Sequence, residues 1–244
     1  MDMQLNTIHR LEADLELISG LHIGGSNAEM HIGGVDNGVI KHPYTQQPYI
    51  PGSSLKGRMR SLLEWRAGVV GEADGKPVSA KVLGRLSGTN LQRARAIASL
   101  FGLSGDAEGE LASEIGPTRL SFWDCSLSQH WLDERKANND LLTEVKSENM
   151  IDRIRGVAEH PRQTERVPAG ARFDFRLTVK SLTGDSEDLL NDVLAGLKLI
   201  ELDGLGGSSS RGYGKVSFVN LRLNGEDIQQ RFDAVEPFAR GGAQ

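Results

Sequence analysis

The sequence predicts an α+β fold, and three observations carry that reading. Apolar residues alternate with period two at Leu11, Ala13, Leu15 and Leu17, and again at Phe173, Phe175, Leu177 and Val179. A stripe of period 3.6 runs through Leu189, Leu190, Val193, Leu194, Leu197 and Ile200. The order of elements is strand, loop, helix, insert, strand, helix, strand. That order suits a ferredoxin-like sandwich with excursions on one side. No repeat of solenoid period is present.

Taken in order, residues 9–19 form the first strand. A turn-rich segment follows, with two Gly-Gly pairs and Asn37-Gly38. Pro51-Gly52 ends it, and Ser53 or Ser54 is expected to cap a helix that continues to about residue 66. Residues 69–88 read as an exposed excursion and 91–101 as a helix stopped by Gly102. Residues 106–114 read as an acidic loop and 119–127 as a strand. Residues 128–142 are polar and ambiguous. Residues 143–170 mix both charge signs around Pro161 and Pro168, which predicts an irregular projecting hairpin. The strand 172–181, the helix 186–202, a glycine-rich loop and the strand 215–223 complete the chain. One domain is expected: a core of residues 9–66, 119–127 and 171–223, an insertion 69–118, an arm 143–170 and a disordered tail 236–244.

The 244 residues suffice for a sizeable core. The net charge of -5 gives no overall attraction to nucleic acid, so any such binding needs a local basic patch. A single cysteine excludes an internal disulfide and argues against a cysteine-based zinc site. The six histidines lack zinc-type spacing. No apolar run approaches membrane-spanning length and no signal-peptide core is visible, so a reducing cytoplasm is expected.

The stretch PGSSLKGRMR places Lys56, Arg58 and Arg60 at the start of a helix. Cations there oppose the helix dipole, which suggests a compensating anion. Serine hydroxyls, free N–H groups and these cations would suit a phosphate; the plain alternative is a solvated basic face. Ser53-Ser54-Leu55-Lys56 also contains Ser-x-x-Lys, but the Ser-Asp-Asn and Lys-Thr-Gly partners of that acyl-transfer chemistry are absent. The loop GLGGSSSRGYG leaves a helix for a strand, the reverse of a dinucleotide-binding turn. Its end, RGYGKVSF, resembles the aromatic motif of RNA-binding sheets, with Lys215 where an aromatic would stack a base. Gly206, Gly207, Ser208 and Arg211 either let a sugar-phosphate chain approach closely or make a tight turn with small residues for packing. His22, beside Gly24-Gly25, either touches RNA or caps a strand end. Asp36 either closes its own turn or handles a metal or proton near a phosphate. In the arm, Met150 and Ile151 flanked by Arg153, Arg155, Arg162 and Arg166 either wedge into a nucleic-acid stack, form a solvated hairpin or make a contact between subunits.

LHIGG, GGVDNGVIKHP, YIPGSSLKGRMRSLLE, LFG, TEVKSENMIDRIRGVAEHPRQTERVPAG and IELDGLGGSSSRGYGKVSF follow one another in this order. Over about residues 11–223 they resemble the repeated backbone subunit of type III-A CRISPR (Csm) effector complexes, within the RAMP superfamily. The resemblance implies a modified RRM-like core and a thumb-like arm. It implies several copies stacked along a CRISPR RNA, with target RNA and other Csm-complex subunits as further partners and no membrane. It implies metal-dependent cutting of target RNA, with Mg²⁺ the expected ion, through attack of the neighbouring 2′-hydroxyl. Asp36 takes the position required for cutting and for the ion. Guide contacts fall to His22, Ser53, Ser54, Lys56, Arg58, Arg60, Arg166, Gly206, Gly207, Ser208 and Arg211, and base displacement to Met150 and Ile151. A non-cutting scaffold of the same class and a type III-B subunit are the alternatives.

Overall fold

A computed structural model describes residues 3–25, 37–103, 110–186 and 188–238. The chain runs β1 (Leu5–Leu17), β2 (Tyr49–Ile50), α1 (Gly52–Ala67), α2 (Ala80–Leu83), α3 (Gly88–Phe101), α4 (Glu110–Ile115), β3 (Leu120–Phe122) and β4 (Cys125–Ser126). It continues through α5 (Gln129–Ala137), β5 (Glu144–Ile151), β6 (Ala158–Arg166), β7 (Arg172–Leu182), α6 (Leu189–Asp203), β8 (Val216–Leu223), β9 (Glu226–Asp227) and α7 (Gln229–Asp233).

The main sheet has the order β3-β7-β1-β8-β9 and is antiparallel throughout. Period-two alternation sends Leu11, Leu15 and Leu17 of β1 and Phe173, Phe175, Leu177 and Val179 of β7 into one buried face. Phe218 of β8 completes that face, edge-on to Phe175 at 4.9 Å and to Phe232 of α7 at 6.2 Å. The β1–β8 register slips between Glu12 and Asp14, where Asn220 takes φ 58° and donates to the Asp14 carboxylate at 2.7 Å. α1 and α6 cover the apolar face. They meet at Gly196, where a Cβ would stand 2.4 Å from the Met59 methyl. The opposite face is polar: Glu12, Asp14, Asp174, Arg176, Asn220 and Arg222 line a shallow groove there.

The elements expected at 9–19, 91–101, 172–181, 186–202 and 215–223 form near those bounds. Other regions differ, for physical reasons. Residues 69–88 are no exposed excursion. Val69, Ala73, Val78, Val82 and Leu83 are buried, because Gly68 at φ 74° ends α1 and turns the chain back onto it. The buried Glu64 carboxylate accepts from the Val78 N–H at 2.9 Å and fixes that return. The segment 119–127 is two short strands interrupted at Trp123 and Asp124. Of residues 106–114, expected as loop, 110–114 belong to the helix Glu110–Ile115, and 106–109 lie outside the described residues. Residues 129–137 form α5, whose cap is Ser128, accepting from the Trp131 N–H at 3.3 Å. Of the tail expected to be disordered, residues 236–238 are described, with the Pro237 carbonyl accepting from Arg66 at 3.4 Å; 239–244 lie outside the described residues.

Candidate nucleic-acid interface

The start of α1 is built differently from the serine-capped cradle that the sequence suggested. Its cap residue is Pro51, and no serine side chain caps it. The Gly52 N–H donates instead to Asp124 at 2.7 Å, and a Cβ at Gly52 would lie 2.8 Å from the Phe122 carbonyl oxygen. Glycine and a distant aspartate, brought in by the β3–β4 corner, therefore fix this end, leaving Ser53 exposed and Ser54 half-buried.

Two of the three cations have internal partners. Arg58 donates to the Gly204 carbonyl at 2.9 Å and pairs with Asp203, so it completes the C-terminus of α6, where the dipole favours a cation. Lys215 serves the same end, donating to the carbonyls of Leu202 and Asp203 at 3.1 and 3.0 Å. This explains a lysine where an RNA-binding sheet would carry an aromatic. Arg60 bonds Glu64 at 2.9 Å and the Val78 carbonyl at 2.8 Å, with its side chain 12% exposed. Lys56 alone of the three has no ion pair among the described residues.

The root of the arm gathers most of the other expected residues. β5 and β6 pair antiparallel, with a slip between Glu148 and Met150. Met150 and Ile151 are exposed near the end of β5, and Ile154 in the turn is more exposed still. At the root, the His22 ring nitrogen Nδ1 lies 2.7 Å from the Glu165 carbonyl. The His22 carbonyl accepts from the Gly207 N–H at 2.9 Å. Gly206, at φ 76°, runs so close that a Cβ would stand 2.4 Å from that same carbonyl. Ser208, at φ 61°, accepts from Arg211 at 2.6 Å. Arg166 pairs with Glu144 at 2.7 Å.

Asp36 lies outside the described residues, and the chain that follows it is tied to the arm. The Asn37 carbonyl accepts from the Glu165 N–H at 2.9 Å, and Asn37 bridges to Thr164. Gly24 and Val39 form a bridge across the base of the loop. The Glu165 carboxylate joins three segments, accepting from Lys41 at 2.7 Å, the Val39 N–H at 3.0 Å and Thr143 at 2.8 Å. Burial opposes its ionisation, yet these three donors outweigh burial and hold the carboxyl below its ordinary range. Sequence reasoning missed Glu165 and Tyr213. Glu165 is one acid in a charged arm. Tyr213 resembles a stacking aromatic but is fully buried.

Among the described residues, no three carboxylate, histidine or cysteine groups stand together to hold a metal ion. Glu165, beside the loop's exit, is already spent on three donors. No helix among them is long and apolar enough to cross a membrane.

A family model for the RAMP superfamily matches residues 14–217. A protein named CRISPR system Cms endoribonuclease Csm3, from Methanothermobacter thermautotrophicus, is 38% identical over 224 residues, covering 86% of this chain and 83% of that protein. The protein of the same name from Streptococcus thermophilus is 41% identical over 218 residues, covering 87% and 88%. A Csm3–Csm4 subcomplex crystal structure of a type III-A CRISPR interference complex superposes with TM-score 0.53 at 26% identity, over 90% of this chain and 80% of that one. The Methanopyrus kandleri Csm3 crystal structure gives 0.54 at 26% identity, over 86% and 75%. With a sheet backed by helices, an arm rooted beside the glycine loop and relatives this similar over most of their length, the chain belongs to the RAMP superfamily and, within it, to the Csm3 family.

Proposed function

We propose that this chain is the repeated backbone subunit of a type III-A CRISPR interference complex, binding guide RNA and cutting target RNA paired to it. The observation that carries the reading is the meeting of four segments at the arm root: His22, the exit of the Asp36 loop, Glu165 of β6, and Gly206 and Gly207 of the glycine loop. A backbone that approaches this closely, beside an arm with apolar side chains near its tip, suits an RNA strand whose bases are displaced at intervals. Further support comes from relatives that are named endoribonucleases.

In this reading Lys56 and the first-turn N–H groups of α1 hold guide phosphates. Ser53, Ser54 and Arg211 lie on accessible surface that suits further contacts, whereas Arg58 and Arg60 contribute mainly by fixing α6 and residue 78. The arm of one copy meets the next along the guide, so copies of this chain, guide RNA, target RNA and other Csm-complex subunits are its partners, in a prokaryotic cytoplasm. Asp36 stands beside the scissile phosphate and helps align the 2′-hydroxyl with it. The 2′-oxygen attacks phosphorus and the 5′-oxygen leaves, giving a 2′,3′-cyclic phosphate and a 5′-hydroxyl. A bound divalent cation, Mg²⁺, would neutralise charge on the phosphate, and its protein ligand would be Asp36. Mg²⁺ sites commonly need only one or two carboxylates beside substrate oxygens.

The test is target cleavage by the reconstituted complex, wild type against Asp36→Ala, with Mg²⁺ or with EDTA. Guide and target binding are measured in the same samples. Loss of cutting with binding intact, in the variant and in EDTA, supports the reading. Cutting by Asp36→Ala at the same positions makes the chain an RNA-binding scaffold, and cutting in EDTA removes the metal.

A further inference from the structure

The glycine loop sends one large side chain into the arm. The Tyr213 ring is enclosed, with Lys146 Nζ 4.3 Å from its centroid and the Arg166 guanidinium carbon 5.1 Å, one cation from each arm strand. Its hydroxyl is buried and makes no well-aligned hydrogen bond among the described residues, but it faces the Glu148 carboxylate. Buried hydroxyls rarely stay unpaired, and here an anion stands in the acceptor's place.

The nearest anion is the arm's own. The Glu148 carboxylate lies 3.2 Å from Lys146 Nζ and 3.4 Å from Arg211 Nη1. Arg162 stands directly opposite it in strand register and has no ion pair among the described residues. Lys146, Glu148, His160, Arg162 and Arg211 line one groove of about 580 Å³. That groove holds three permanent cations against a single carboxylate. The Glu148 side chain is 22% exposed, so it can swing to solvent without disturbing the core.

We propose that this groove is a phosphodiester site at the arm root, and that Glu148 is its built-in counter-ion, which RNA displaces. The inference rests on the RNA-binding reading above. A phosphate brings two unbridged oxygens where the carboxylate now has two, and it can take over the Tyr213 hydroxyl that the carboxylate now faces. Anion replaces anion, so a lone phosphate gains little. A strand held at many points gains enough to complete the exchange. The groove thereby discriminates against short or weakly held RNA.

The experiment compares RNA binding by wild type, Glu148→Gln, Glu159→Gln and Lys146→Ala over a range of KCl, for guide alone and for target added to guide-loaded complex. Thermal melting of each variant checks folding. Glu159 pairs with Arg155 outside the groove and controls for the loss of one negative charge. Glu148→Gln is expected to tighten binding roughly threefold to fivefold, the scale of releasing partly exposed ion pairs. Its salt dependence should stay as in wild type, because the same phosphates are contacted. Lys146→Ala should weaken binding and lower the salt slope by about 0.7, the value for one single-strand phosphate contact. The arm of the assay that responds identifies the strand, guide or target. Glu148→Gln that binds as wild type does, more weakly, or no better than Glu159→Gln overturns the proposal alone. Wild type that binds no guide at any salt overturns the functional reading with it.

Discussion

In the core, Phe218 lies between Phe175 and Phe232 and is fully enclosed, as are Leu11, Leu15 and Leu177 around it. In the arm, Val145, Met150, Ile151, Ile154 and Val157 are all exposed, and among the described residues no other strand or helix covers the two arm strands. What fixes the arm is polar and confined to its root: Glu165 with Lys41, Val39 and Thr143, Lys146 and Arg166 against Tyr213, and Arg166 with Glu144. The core thus draws its stability from apolar burial, and the arm draws its direction from a few ionic and hydrogen-bonded contacts. An element held this way can be re-aimed by a substitution that leaves the global fold intact.

The comparison breaks most visibly in the core. Phe218→Ala should cost about 3–5 kcal/mol in urea unfolding, since it leaves a cavity among rings. A smaller core effect belongs to Arg119 and Asp185, a buried pair at 2.7 Å whose side chains are 6% and 9% exposed. Asp185→Asn should cost about 3 kcal/mol by leaving the guanidinium uncompensated. Burial opposes ionisation of Asp185, but Arg119 and the Leu182 N–H outweigh it and hold the carboxyl below its usual range. A depressed folded pKa makes this stabilisation complete above the ordinary carboxylate range and lost as pH falls through the folded value. Wild type should therefore lose more stability than Asp185→Asn on acidification below about pH 4.

The arm should respond locally. Glu165→Ala should cost about 1–2 kcal/mol, read as faster hydrogen exchange at Val39 and neighbouring root amides while core amides keep their protection. Equal acceleration in the core would mean that the arm root belongs to the same cooperative unit. Ile154→Ser should change stability by less than about 0.5 kcal/mol in the same urea experiment, since the side chain is almost fully exposed among the described residues.

The same contrast governs what the sequence disclosed. β1, β7 and α6 were legible because each buries one face, and burial writes its period into the chain. α5 and its Ser128 cap were missed, because the polar helix carries no apolar stripe to announce it. The cap of α1 was not readable, since its acceptor is Asp124, 72 residues away. Residues 69–88 hid their burial because the apolar residues there are spaced by turns rather than by a period. At the site, the glycines announced a close backbone approach, which Gly206 makes against His22. Arg58 and Arg60 looked like free cations because Asp203 and residue 78 meet them only after folding. Glu165 and Tyr213 take their meaning wholly from tertiary neighbours.

The central claim is that the loop leaving Asp36 faces the bond that is cut. Cys125, the chain's one cysteine, is buried, and burial first of all pushes its thiol up to about 12, so it resists labelling. Asn37→Cys would therefore carry the reactive thiol, and an iron chelate tethered there would generate hydroxyl radicals beside the loop in the guide-loaded complex. The account predicts scission of target RNA at the same nucleotides, with the same spacing, as the native cuts. Scission centred elsewhere on the target, or confined to the guide, would contradict it.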